Sequence, residues 1–323
     1  MDEAAIWVSH PDEWQPRVRE WQASLPSLVV DIWPQYAAPD AGPPARIYAL
    51  TLGNEDAPFR LLVTVPHAHE PAPTAACVDF IEEWVTGRHR DGMPSALDRQ
   101  ALAEQVLVTL IPDGNPQGRA RSPRRVWDGS EFDNEAFLRV AFGVAADGTR
   151  FGRYPAWRHS EHRPQSIGIV YEQLGPDEYG EPNTNRRCTL ARAVDELFAR
   201  YGYTHHLEMH QHEGDEAALL PADYDDLAAE RRATVDAWAR RLIAAWREAG
   251  ATPRPEPYVA YRGQPRQQFF RDFWAGRCPG MLRLVSEVRN NQHVRTGEPT
   301  PLAYQLRMAR VALRATLSLA FAQ

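Results

Sequence analysis

At 323 residues and 43% hydrophobic, the chain carries enough apolar side chain to bury a large core, in one large α/β domain or two ordinary ones. Its formal charge of −7 offers no overall attraction to nucleic acid or to an anionic membrane. Arginine supplies all 36 basic side chains and lysine is absent, which excludes Schiff-base and lysine general-base chemistry. Cys77, Cys188 and Cys278 are far apart and form no CxxC pair, so they point to a reducing compartment and away from a thiolate metal site. The first residues lack the basic and apolar regions of a signal peptide, and no apolar run approaches the roughly 18 residues of a membrane span. A cytoplasmic protein is expected.

In chain order, Trp14, Val18, Trp21 and Leu25 share one face of a helix over residues 12–25. Leu28–Ile32 and Ala45–Leu52 read as strands separated by a Pro/Gly-rich connection, placed at the edge of the main sheet. Gly53-Asn54 then turns the chain into an apolar, β-branched strand, Leu61–Val65, which stops at Pro66. After Pro71 and Pro73, residues 74–86 place Ala76, Phe80, Ile81 and Trp84 on one helical face, and Gly87 ends the helix. A helix over 98–105 leads into the buried strand Val106–Ile111, followed by a long loop rich in Pro, Gly and Arg.

Residues 128–185 have scattered aromatics and many turn formers, as expected of a packed excursion walling a site. The remaining pattern is a helix over 189–201, a strand over 203–211, a long helix over 223–249, a Pro-rich loop, a strand over 281–288 and a closing helix over 301–322. This order predicts one α/β domain spanning residues 1–323, with a central mixed twisted sheet and helices on both faces.

Chemistry concentrates just past the strand Leu61–Val65. His67-x-x-Glu70 brings an imidazole and a carboxylate into one loop, where ligand sites of α/β sheets lie. A catalytic zinc needs a third protein ligand and an open position. In YTHHLEMHQH, a strand would put His206, Glu208, His210 and His212 on one face, and His210 near its end is preferred. Hydrolysis also needs a base close to the metal but not bound to it. Glu287 stands in the apolar strand MLRLVSEV, where a carboxylate is costly without a partner. Its alternative role is an ion pair with Arg283 or Arg289. Glu208 and Asp113 suit groups that orient ligands.

These elements resemble the zinc metallocarboxypeptidases of the carboxypeptidase A type over nearly the whole length. PHAHE matches the strand-end His-x-x-Glu, IPDGNPQGRARSPRRVW the turn and arginine loop, LEMHQH the third ligand and LVSEVRN the late glutamate, in the same order. The resemblance implies one zinc per chain held by His67, Glu70 and His210, with Glu287 as general base. It also implies an arginine of the 119–125 loop, Arg125 or Arg124, stabilising the oxyanion of a peptide or small amide substrate.

Three positions depart from the family. His69 stands where its H-A-R-E version has arginine. SEFDNEAF keeps Asn134 but puts Glu131 or Glu135 where an arginine grips the substrate carboxylate, and like charges repel. The letters Asn185-Arg186 match that pair but lie nearer His210 than expected. Tyr261 or Tyr258 stands for a late tyrosine at the substrate, with Phe273 and Trp274 in the same region. The substrate-binding candidates are therefore His69, Asn134 and Tyr261. A metallocarboxypeptidase is expected first, a zinc amidase or deacylase of N-acyl amino acids second, and a catalytically silent peptide-binding relative last.

Overall fold

A computed structural model describes residues 6–39 and 42–321. The central sheet has eight strands: β1 (Val29–Pro34), β2 (Arg46–Gly53), β3 (Phe59–Thr64), β4 (Val106–Ile111), β5 (His205–His212), β6 (Ala217–Leu220), β7 (Tyr258–Val259) and β8 (Leu282–Arg289). Their spatial order is β1-β2-β4-β3-β5-β8-β6-β7. The four central strands β4, β3, β5 and β8 run parallel, while β1, β2 and β6 meet their inner neighbours antiparallel. The central runs are apolar because both faces are covered.

On one face, Leu61, Val63, Leu207, Met209 and Leu284 pack under three helices, α1 (Pro71–Thr86), α4 (Ala229–Glu248) and α6 (Leu302–Leu317). On the other, Ile47, Leu62, Leu107 and Tyr203 pack against α3 (Thr189–Tyr201). Leu61, Leu62 and Val63 alternate between the faces, as successive strand residues must. Among the described residues, no helix is long and apolar enough to cross a membrane.

Several boundaries differ from expectation. The first helix is split into Pro11–Trp14, a 3-10 turn and Val18–Ser24, because Pro16 has no N–H to continue the ladder. Helix α1 begins at Pro71 rather than after Pro73, since the first-turn N–H groups have no intrahelical acceptor and proline costs little there. Residues 128–185 contain α2 (Asn134–Phe142) and two small sheets, one pairing Gly143–Val144 with Ser166–Ile167 and the other built from Ala156–Arg158, Glu172–Gln173 and Glu178–Gly180. The Pro-rich stretch after α4 contains β7 and α5 (Pro265–Trp274), whose Trp274 packs against the α3 face.

The loop after β4 lies directly against the ligand loop. Gly114 donates its N–H to the Val65 carbonyl at 2.8 Å, and a Cβ there would meet that oxygen at 2.9 Å. A Cβ on Gly118 would meet the Ile169 carbonyl at 2.1 Å and the Ala68 Cβ at 3.0 Å. Only glycine permits this approach.

Candidate active site

Past Thr64 the chain leaves β3, turns through His67–His69 and enters α1 with Glu70 as its N-cap. The Glu70 carboxylate therefore sits at the positive end of a helix. Buried Arg119 supports the turn from behind, pairing with Asp113 at 3.2 Å and donating to Thr74 Oγ1 at 3.0 Å and the His67 carbonyl at 3.5 Å.

His67 Nδ1 lies 3.0 Å from Glu70 Oε1, His210 Nδ1 lies 2.9 Å from Glu70 Oε2, and the two Nδ1 atoms are 3.1 Å apart. All three side chains are buried. Burial alone would raise the Glu70 pKa, but the surrounding imidazoles of His67, His210 and His69 hold it well below the usual carboxylate range. For His210 burial works downward and is outweighed by Glu70 and Glu208, which hold the imidazole well above its ordinary value. Two imidazole nitrogens and a carboxylate oxygen within 4.8 Å of one another could hold a metal ion, and they are donor types that zinc takes.

The other strand histidines are engaged elsewhere. His206 Nε2 lies 2.8 Å from Thr64 Oγ1, and His212 Nε2 donates to the Asp215 carbonyl at 2.7 Å. His69 is buried between His67 and the rings of Phe137 and Phe142, with Nε2 3.4 Å from Glu70 and Nδ1 without a partner. Burial pushes its pKa down to about 3, so it lines the pocket as a neutral ring.

Glu287 stands beside His210 in the parallel β5–β8 register. Its Oε2 is shielded and has no hydrogen-bond partner, and neither alternative cation holds it: Arg283 pairs with Asp223 at 2.7 Å and Arg289 lies over the Tyr304 ring. Burial, with Glu70 and Glu213 nearby, pushes its pKa up to about 8 despite the opposing field of His210. A shielded carboxylate poised in this range suits proton transfer.

These groups open into a cavity of about 490 Å³. Arg150 and Arg153 line it, together with Glu213, Phe142, Trp274 and Tyr261. Tyr261 is partly exposed, has φ +54° and stacks on Phe270. Behind the histidines, Glu181 is fully buried and paired with Arg153 and Arg266, the latter at 3.1 Å. Burial would raise its pKa, but the two guanidiniums hold it down to about 2.

The arginine loop requires correction. Arg124 pairs with Glu131, and Arg125 with Asp12 and Glu13, on the exposed surface away from the cavity. Arg121 is tied to the Tyr171 carbonyl at 2.6 Å. A loop that packs against the back of the ligand turn cannot also present these side chains to its front. Asn134 is likewise outside the cavity: its amide donates to the Gln292 carbonyl at 2.8 Å and accepts from Asn291 at 2.7 Å. Arg186 caps the end of α5 through the carbonyls of Asp272, Phe273 and Ala275. Sequence reasoning missed Arg153, Glu181 and Asn183. The one available signal was Glu181-Pro182-Asn183, a polar pair held by a proline six residues before α3.

No family model and no curated protein matches the sequence. Solved structures match the fold. Bovine thrombin-activatable fibrinolysis inhibitor in complex with tick carboxypeptidase inhibitor aligns over 99% of each chain at 14% identity and a TM-score of 0.57. Carboxypeptidase A from Helicoverpa armigera aligns over 97% of this chain and 75% of its own, at 10% identity and TM-score 0.57. A metallo-carboxypeptidase from Pseudomonas aeruginosa in complex with (2-guanidinoethylmercapto)succinic acid aligns over 96% and 68%, at 14% and 0.52. The chain therefore has the metallocarboxypeptidase fold. Its resemblance to the carboxypeptidase A type holds at the level of that fold.

Proposed function

We propose that the chain, read as one catalytic domain over residues 1–323, is a zinc-dependent hydrolase that cleaves an amide bond, with the C-terminal peptide bond as its first substrate. The observation that carries this reading is the convergence of His67, Glu70 and His210 beside an unpaired Glu287 on the neighbouring strand. Zinc held by the three side chains supplies Lewis acidity, polarising a carbonyl and acidifying water. Glu287 takes the proton of the attacking water and returns it to the leaving amine. Tyr261 and the aromatic wall exclude solvent and orient the substrate. In place of Arg124 or Arg125, Arg153, which lines the cavity with Arg150 and Arg283 and shares its charge with buried Glu181, is assigned to a developing oxyanion or a substrate carboxylate.

An arginine in the pocket favours the carboxypeptidase over the amidase reading. The test compares hippuryl-type dipeptides with N-acyl amino acids, each free and amidated at the C-terminus. Cleavage that requires the free carboxylate is expected; equal cleavage of the amides would reject carboxypeptidase activity. Metal analysis is expected to find about one zinc per chain.

A further inference from the structure

His67 and His210 come from different parts of the fold, yet both must offer Nδ1 to one ion. Each can do so as the neutral ring only if Nε2 carries the proton, and a ring's tautomer is set by what its outer nitrogen meets. His67 Nε2 meets Asn183 Oδ1 at 3.2 Å, and His210 Nε2 meets Glu208 Oε1 at 2.7 Å. The two partners are themselves joined, since Asn183 Nδ2 donates to Glu208 Oε1 at 3.2 Å. Asn183 and Glu208 are both buried.

The geometry assigns Asn183 and Glu208 a joint positioning role toward both histidine ligands: Glu208 acts on His210 directly and on His67 through Asn183, the nearest partner of a His67 Nε2 that also lies 3.7 Å from Glu181. Glu208 accepts directly from His210. It also fixes which way Asn183 points, because a turned amide would set its oxygen against the carboxylate and its NH2 against the His67 N–H. The amide so fixed accepts from His67. Strand alternation supports the arrangement: Glu208 lies two residues before His210 and so shares its face of β5. The pair thereby closes a ring of hydrogen bonds outside the metal ligands, from His67 through Asn183 and Glu208 to His210.

This assignment rests on the metal-centre reading above. It is tested on the full chain by competing zinc away with a chromophoric chelator, for wild type, Asn183→Ala, Glu208→Gln and the double variant. Each single change is expected to weaken zinc binding by ~10–100-fold. The double variant is expected to lose less than the product of the two, because the groups act through one network. Glu208→Gln is nearly isosteric and decides the matter if Asn183→Ala does not fold.

The visible spectrum of the cobalt-substituted Glu208→Gln protein is expected to shift as the ring angles relax. A merely supporting role would lower the melting temperature of the metal-free variants while zinc affinity stays within about twofold of wild type and the cobalt spectrum is unchanged; that result overturns the assignment. Wild-type protein that takes up no zinc overturns the metal-centre reading itself, and this one with it.

Discussion

Among the described residues, two buried groups of three metal-competent side chains stand along α1. His67, Glu70 and His210 gather at its N-terminus, while Asp79, Glu83 and His89 gather along its body and just past its end. By donor type alone they are equivalent candidates. In the second group the chain brings its own counter-charge: Arg310 Nε reaches Asp79 at 3.1 Å, Arg314 reaches Glu83 at 2.5 Å, and Ser95 donates to Glu83 at 2.5 Å. In the first, Glu70 meets only imidazoles, and the nearby cations Arg153 and Arg266 are paired with Glu181. A carboxylate matched by guanidinium, which cannot give up its proton, joins helices; one matched by imidazoles, which can, has room for a divalent cation. The comparison separates the two candidates by whether the cation beside the carboxylate can give way to an ion.

The sharpest way to break this contrast is to exchange the outcomes. His210→Ala should abolish both zinc uptake and hydrolysis, whereas Glu287→Gln should retain about one zinc and lower kcat by ~10²–10⁴-fold. A Glu287→Gln enzyme of full activity removes that residue from the chemistry. At the second group, Arg310→Met leaves two buried carboxylates short of a cation and should cost about 3–5 kcal/mol in denaturant unfolding, with zinc content unchanged. Loss of zinc in that variant would show that the two groups are not independent.

Smaller effects refine the picture. Arg153→Met should reduce kcat/KM for substrates with a free carboxylate by ~10–100-fold, the worth of a hydrogen bond to a charged group, and do less to amidated ones. Equal losses would move Arg153 from substrate recognition to support of Glu181.

The last prediction concerns pH. Burial pushes the Asp79 pKa up to about 6 from 3.8, against the pull of Arg310 and with the push of Glu83. A carboxyl whose folded pKa is raised contributes stability that is complete below its unfolded value and is lost as pH rises through about 6. Melting temperatures between pH 4 and 7 should therefore fall less steeply in Asp79→Asn than in wild type.

Elements dominated by local chemistry were legible before the structure. Val106–Ile111 is a six-residue apolar run stopped by Pro112, and Thr189–Tyr201 has a single apolar stripe stopped by Gly202, so both could be read from the letters alone. β6, β7 and α5 escaped because two are short and the third begins in a Pro-rich stretch; β6 takes its identity from pairing with β8, β7 from pairing with β6, and α5 from packing against the α3 face. In the site, His67 and Glu70 were visible because one turn carries both. Arg153 and Asn183 were not, since folding of the irregular 128–185 excursion alone brings Arg153 to the cavity and Asn183 to His67. Arg124 and Arg125 show the converse error. A run of charge suggests chemistry, but on an exposed loop it found Glu131, Asp12 and Glu13 instead.

The pairing of His210 with Glu287 across β5 and β8 makes their spacing a property of the backbone ladder rather than of loops. Sliding one strand by a single residue turns every side chain to the opposite face. A one-residue deletion in β8 ahead of Glu287 would present Val288 beside His210, and an insertion would present Ser286. Variation in this fold is thus continuous in its connections and quantised in its sheet: length can drift around the cavity, while the strand that carries Glu287 tolerates change of composition but not of count.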